Sequence, residues 1–208
     1  MNNNDIKQFI KILKDTYPDA TCSLDFKTPF QMVVAVMLSA QCTDERVNKT
    51  TPTLFKKCKT IEDFANIDIT ELENIIHPCG FYKNKAKNIK LCAKQVLGNF
   101  NGIVRNTMDE LLTLSGIGRK SANVILLEAF DIACGIAVDT HAKRISNRLG
   151  FSAQSDPEKI EEDLLKIFPN EYLKDINHLF VWHGRKTCDS RKPRCEQCTI
   201  KKYCKYYN

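Results

Sequence analysis

No stretch of the 208-residue chain reaches the roughly 18 consecutive apolar residues that a membrane-crossing helix needs, so no membrane partner is expected. A secretory leader is not expected either. The opening segment MNNNDIKQFIKILKDTYP has no continuous apolar core, and its apolar residues return at helical spacing instead. The compartment to expect is a reducing cytoplasm, where clustered cysteines favour metal over disulfides. Strand signals are nearly absent, which points to an all-α fold. Internal repeats, low-complexity tracts and long linkers are missing too. The chain therefore reads as one compact helical unit, or as two helical lobes whose boundary the composition does not mark.

The bulk composition, 43% hydrophobic and 27% charged, is that of an ordinary soluble globular protein. A net charge of +6 permits a polyanionic partner without requiring one. Its distribution says more. From His183 to Asn208 there are eight Lys/Arg and two acidic residues, so this segment holds all of the chain's excess charge. The same segment carries four of the ten cysteines, Cys188, Cys195, Cys198 and Cys204, within seventeen residues. Four soft thiolates so close together will hold a tetrahedral metal or an iron–sulfur cube. Zinc sites of this kind are often built from two C-x2-C knuckles, and this chain has only one short pair, Cys195 and Cys198, which favours the cube. A metal-stapled loop that gathers positive charge points toward a phosphate backbone. The other six cysteines, Cys22, Cys42, Cys58, Cys79, Cys92 and Cys134, read as free thiols in or near the core.

Helical patterns run through most of the chain. The spacing predicts an amphipathic helix over 5–16, ended by Pro18, and a buried one over 30–40, which is apolar nearly all round. A helix over 44–57 follows Asp44 as its candidate cap. Thr60 and Asp63 have the spacing of a capping box, and short helices follow to residue 76. A longer helix is expected over 84–100, then 107–114, 120–130, 140–149, 157–167 and 171–186.

Between two of these helices stands Ser115-Gly116-Ile117-Gly118. Glycines two apart allow a tight reversal, and a helix starting just beyond aims its free N–H groups and dipole at the same point. That is a site for one phosphate, and the basic pair Arg119 and Lys120 strengthens it. A plain helix–helix turn needs only the glycines. Lys120 sits in the first helical turn, where the helix N-terminus, Arg119 and partial burial against Val124 and Leu127 would all disfavour its proton. Such a lysine is a usable nucleophile, although a phosphate contact is its plainer role. Asp139 opens the next helix and reads first as a cap.

With LSGIGRK, a VDTH whose Asp lies nineteen residues after the Lys, MLSAQCTDERVN, GFYKNKAKNI, NHLFVWHGRKTC and the 6-2-5 cysteine spacing, the chain resembles the helix–hairpin–helix DNA glycosylases, in particular the endonuclease III branch. The match extends over nearly the whole length. Two departures stand out. Ser115 occupies the usual proline position of the hairpin, and the Lys120-to-Asp139 interval is one residue longer than is common, with the extra residue expected in 131–135.

The resemblance implies an all-α, two-lobed fold with a DNA-facing cleft, one lobe spanning 22–132 and the other 1–21 plus 133–208. It also implies a [4Fe–4S] cluster on the four cysteines. The function implied is that of a bifunctional glycosylase and abasic-site lyase, acting as a monomer on double-stranded DNA with damaged pyrimidines or abasic sites, in the cytoplasm and at the nucleoid of a bacterial-type cell. Lys120 would attack C1′ of the damaged nucleotide and Asp139 would face it. Gln41 and Phe81 would fill the gap left by a flipped nucleotide, although Phe81 read alone is a core residue. Gly116, Ile117, Gly118 and Arg119 would hold a phosphate. His141, Arg144 and Arg148, spaced i, i+3 and i+7, would face the DNA backbone or simply solvent. Arg191, Lys192 and Arg194 would reach phosphate from the cysteine loop. Two alternatives are a mismatch adenine glycosylase and a non-enzymatic iron–sulfur or zinc DNA-binding module. The first expects a Glu where the chain has Ala35-Val36, and a C-terminal domain that 208 residues cannot include. The second would lack Lys120 or Asp139.

Overall fold

The computed structural model describes residues 1–207, which form eleven α-helices and short 3₁₀ turns, with no strand among the described residues. None of these helices is long and apolar enough to cross a membrane. The chain divides into two compact units, Ser23–Ile132 and a second made of Met1–Cys22 with the chain from Ala133 onward.

In the Ser23–Ile132 unit, helix α2 (Pro29–Ser39) forms the centre. Thr28 caps it, Pro29 opens it, and Met32 to Leu38 are all buried, as its all-round apolarity demands. It packs on α3 (Asp44–Lys57), α6 (Tyr82–Phe100) and α8 (Arg119–Phe130). The cap of α3 is Thr43, not Asp44. The Thr43 hydroxyl accepts from the N–H of Arg46, while Asp44 enters the first turn, where its charge suits the helix dipole. The capping box of α4 (Ile61–Asn66) is present in both directions, Thr60 to Asp63 and back. Asp68 caps α5 (Ile69–Ile76) by accepting from the N–H groups of Thr70 and Glu71. Helix α6 begins at Tyr82, ahead of the expected Asn84, directly after a left-handed Phe81. Helix α7 (Met108–Leu112) is a short arm before the glycine turn.

In the other unit, α1 (Asn3–Thr16) begins with a capping box of Asn2 and Asp5 and buries Ile6, Phe9, Ile10 and Leu13. It packs on α11 (Leu173–Lys186), which packs on α9 (Thr140–Leu149), which in turn meets α10 (Pro157–Ile167). Edge-to-face aromatic pairs fill the centre, with Phe9–Phe151 and Phe151–Phe168 centroids both at 5.5 Å.

Of the six scattered cysteines, Cys58, Cys79 and Cys92 are buried, and Cys22 and Cys42 are half-buried. Burial pushes the Cys92 thiol up to about 12, so it stays protonated and inert. Cys134 departs from the core reading. It is exposed, because it lies in the helix-free connection between α8 and α9.

Candidate active site and cysteine loop

The hairpin between α7 and α8 is clamped to its own unit at three points. Gly116 has φ +80°, and a Cβ there would come within 3.0 Å of Asn88 on α6, so both conformation and packing require glycine. Gln95, also on α6, accepts from the Ser115 N–H at 2.8 Å and donates to the Thr113 carbonyl at 3.3 Å. Ile117 drives its side chain into the core and gives its N–H to Leu114. It therefore anchors the turn. Gly118 differs from Gly116. Its backbone is extended, at φ −104° and ψ 175°, and space is open where a Cβ would sit. It caps α8 without a side-chain hydrogen bond, so no capping side chain covers the N-terminus of that helix, the end that favours an anion.

Arg119 and Lys120 are the first two residues of α8. Arg119 is half-buried, and Lys120 is exposed. The expected burial of Lys120 against Val124 and Leu127 is not found. A side chain in the first turn leans toward the helix N-terminus, away from residues one turn further on. In the same unit Gln41 and Phe81 stand exposed on left-handed backbone, at φ +53° and +47°. Phe81 is 64% exposed, so it is not a core residue.

Asp139 belongs to the other unit, where it caps α9. Its Oδ1 accepts from the N–H groups of His141 and Ala142, both at 2.8 Å, which leaves Oδ2 outside the cap. Beyond it the structure differs from a row of DNA-facing cations. Arg144 donates to the carbonyls of Cys188 and Gly184 at 3.0 and 3.1 Å and to His141 Nδ1 at 3.0 Å. Arg148 donates to the Cys188 sulfur at 3.2 Å and to the carbonyls of Asp189 and Ser190 at 2.7 and 2.9 Å. Both guanidinium groups brace the cysteine loop. His141 packs so closely on Gly184 that a Cβ there would lie 2.6 Å from its Nδ1, and burial lowers its pKa.

All four cysteines of the loop line one small cavity of about 20 Å³. Ile145, Leu149, Ile200 and His183 line it as well. His183 is buried, which pushes its pKa down to about 4; Nδ1 meets the Tyr17 hydroxyl at 2.9 Å and Nε2 lies 3.8 Å from the Cys198 sulfur. Among the described residues no three His, Cys, Asp or Glu side chains converge tightly enough to hold a single metal ion. The thiols instead surround a volume. The Asp189 carboxylate accepts from the N–H groups of Arg191 and Lys192, and the Arg194 N–H donates to Thr187. The loop backbone is thereby tied down, with Arg191, Lys192 and Arg194 exposed upon it.

Sequence reasoning missed Gln95 and Lys85. Lys85 is buried and donates to the carbonyls of Leu38 and Cys79. Its one sequence signal is its place on the apolar stripe of α6, with Ile89, Cys92 and Val96.

Comparison with known proteins agrees with this architecture. The family model of the HhH-GPD superfamily base excision DNA repair proteins matches residues 34–170. Endonuclease III of Synechocystis is 48% identical over 197 residues, 95% of this chain and 90% of that protein. A non-covalent endonuclease III–DNA complex superposes with a TM-score of 0.92 at 38% identity, covering 100% of this chain and 97% of that one. A trapped covalent endonuclease III–DNA intermediate superposes with a TM-score of 0.93 at the same identity and coverage. The chain belongs to the endonuclease III family, the bifunctional DNA glycosylases and abasic-site lyases of base excision repair.

Proposed function

We propose that in this chain the glycosylase and lyase reactions run on Lys120 and Asp139, and that the substrate is double-stranded DNA carrying oxidised pyrimidines or abasic sites. The observation that carries the reading is an exposed lysine in the first turn of a helix whose N-terminus is open to a phosphate. A phosphate held at Gly116, Gly118 and Arg119 sets the DNA strand beside the amine. The Lys120 amine, deprotonated, attacks C1′, and the base departs with the bonding electrons. Ring opening leaves an iminium between Lys120 and C1′. The iminium acidifies the C2′ proton, and its removal expels the 3′ phosphate. Water then releases the lysine. The Asp139 carboxylate is held rigid by the cap on Oδ1, and its charge stabilises the cationic sugar or takes up the amine proton.

Phe81 and Gln41 enter the space vacated by the extruded nucleotide, Phe81 as an apolar wedge and Gln41 as a polar plug. The four cysteines fit a [4Fe–4S] cluster better than a lone zinc ion, since they enclose a volume and do not converge on a point. When bound, the cluster supplies a rigid staple. Arg144, Arg148 and Asp189 fix the loop around it, and Arg191, Lys192 and Arg194 meet phosphate.

The deciding experiment is borohydride trapping on duplexes that carry one abasic site or one thymine glycol. A covalent protein–DNA adduct is expected with the native chain. Lys120→Gln should lose the adduct and retain duplex binding. Trapping at full yield in that variant would remove Lys120 as the nucleophile.

A further inference from the structure

Lys85 is 6% exposed, the only lysine or arginine buried so deeply among the described residues. Burial lowers its pKa, against the opposing pull of the Cys42 and Cys79 thiols beside it. A buried ammonium persists only where its donors are satisfied. Two of its three donors go to main-chain carbonyls, Leu38 at 2.9 Å and Cys79 at 2.8 Å. The first is a carbonyl of the last turn of α2, which has no acceptor role within the helix. The second ends the 3₁₀ turn His77–Cys79. Gln41 follows Leu38 by three residues, and Phe81 follows Cys79 by two. Gln41 and Phe81 both hold left-handed backbone that non-glycine residues adopt only when their surroundings impose it. One ammonium thus ties together the two backbone segments from which these side chains project.

We infer that Lys85 is a positioning residue for nucleotide extrusion, holding Gln41 and Phe81 at a set spacing by joining the end of α2 to the His77–Cys79 turn. This rests on the reading of Gln41 and Phe81 as the residues that fill the gap. An apolar side chain of similar volume would satisfy the packing of α6 equally well, but it would leave both carbonyls without this donor and the two turns uncoupled.

The test compares single-turnover excision of thymine glycol with cleavage of a preformed abasic site, which has no base to extrude. Lys85→Met should lower excision by about tenfold and abasic-site cleavage by much less, since losing part of the extrusion energy costs rate only where a base must leave the stack. Phe81→Ala should show the same selective loss. The double variant should be no slower than the slower single variant, because both remove one function. If Phe81→Ala depresses both reactions alike, the gap-filling reading fails and Lys85 falls with it. If Phe81→Ala is selective while Lys85→Met is not, or if the two losses multiply, Lys85 is a packing residue and only this inference is overturned. Lys85→Gln keeps donors on a neutral arm and should give an intermediate ratio. Loss of folding in both Lys85 variants would make its role structural and would also overturn the inference.

Discussion

At the scale of single residues, capping and chemistry share side chains. Asp139 satisfies two helix N–H groups through one oxygen and keeps the other outside the cap. Asparagine caps about as well as aspartate, so Asp139→Asn isolates the charge. The variant should melt within a few degrees of the native chain and excise a damaged base slower by roughly 10²–10³-fold, the scale of losing one preorganised electrostatic contact. Single-turnover base release measured beside the melting temperature checks this, and undiminished release would leave Asp139 as a cap alone. Sequence could not decide such roles. The sequence alone places Lys120 partly against its own helix, yet the residue is exposed. Phe81, read alone as a core residue, stands exposed on left-handed backbone, directly after Gly80, whose φ is also positive.

At the scale of elements, the hairpin and the cysteine loop are small structures held by larger ones. The hairpin takes its shape from α6 through Asn88 and Gln95. The Gln95–Ser115 bond uses an N–H that a proline at that position would lack. The cysteine loop takes its shape from α9 through Arg144 and Arg148. Protein purified without oxygen should carry about four iron and four sulfide. Removing them should leave helix content nearly unchanged, since the helices pack on apolar cores. DNA affinity and the slope of its salt dependence should both drop, as Arg191, Lys192 and Arg194 lose their common orientation. Circular dichroism and binding at several salt concentrations check this. A slope unaltered by cluster removal would mean that the loop makes no phosphate contacts. The cysteine spacing was plain in the sequence, but the bracing arginines were not. Their i, i+3 and i+7 spacing is equally that of a solvated face, and only packing against the loop shows which way they turn.

At the scale of the whole molecule, two half-buried histidines make stability depend on pH on the acid side. His141 and His178 both have pKa values lowered from 6.5, chiefly by burial. The folded chain resists their protonation while the unfolded chain accepts it, so their contribution is full above about pH 6.5 and is lost as pH falls toward the folded values. Asp63 and Asp189, lowered from 3.8 by hydrogen bonds, act only at more acid pH. The urea midpoint should therefore fall between pH 7.5 and pH 5.5, and replacing His141 and His178 by Gln should flatten that fall. Equal midpoints at the two pH values in the native chain would refute it. The helices were legible in the sequence because each carries its own pattern of apolar spacing and capping residues, as α2 and α4 do. The family was legible because short, dense motifs keep their order along the chain. What the tertiary structure alone decided was which polar groups face inward. Lys85, Gln95, Arg144 and Arg148 look in sequence like ordinary surface residues. Each is instead committed to main-chain groups between 18 and 47 residues away. A carbonyl has no identity in sequence, so a side chain that binds one leaves no local pattern, and only the folded path of the backbone brings the two together.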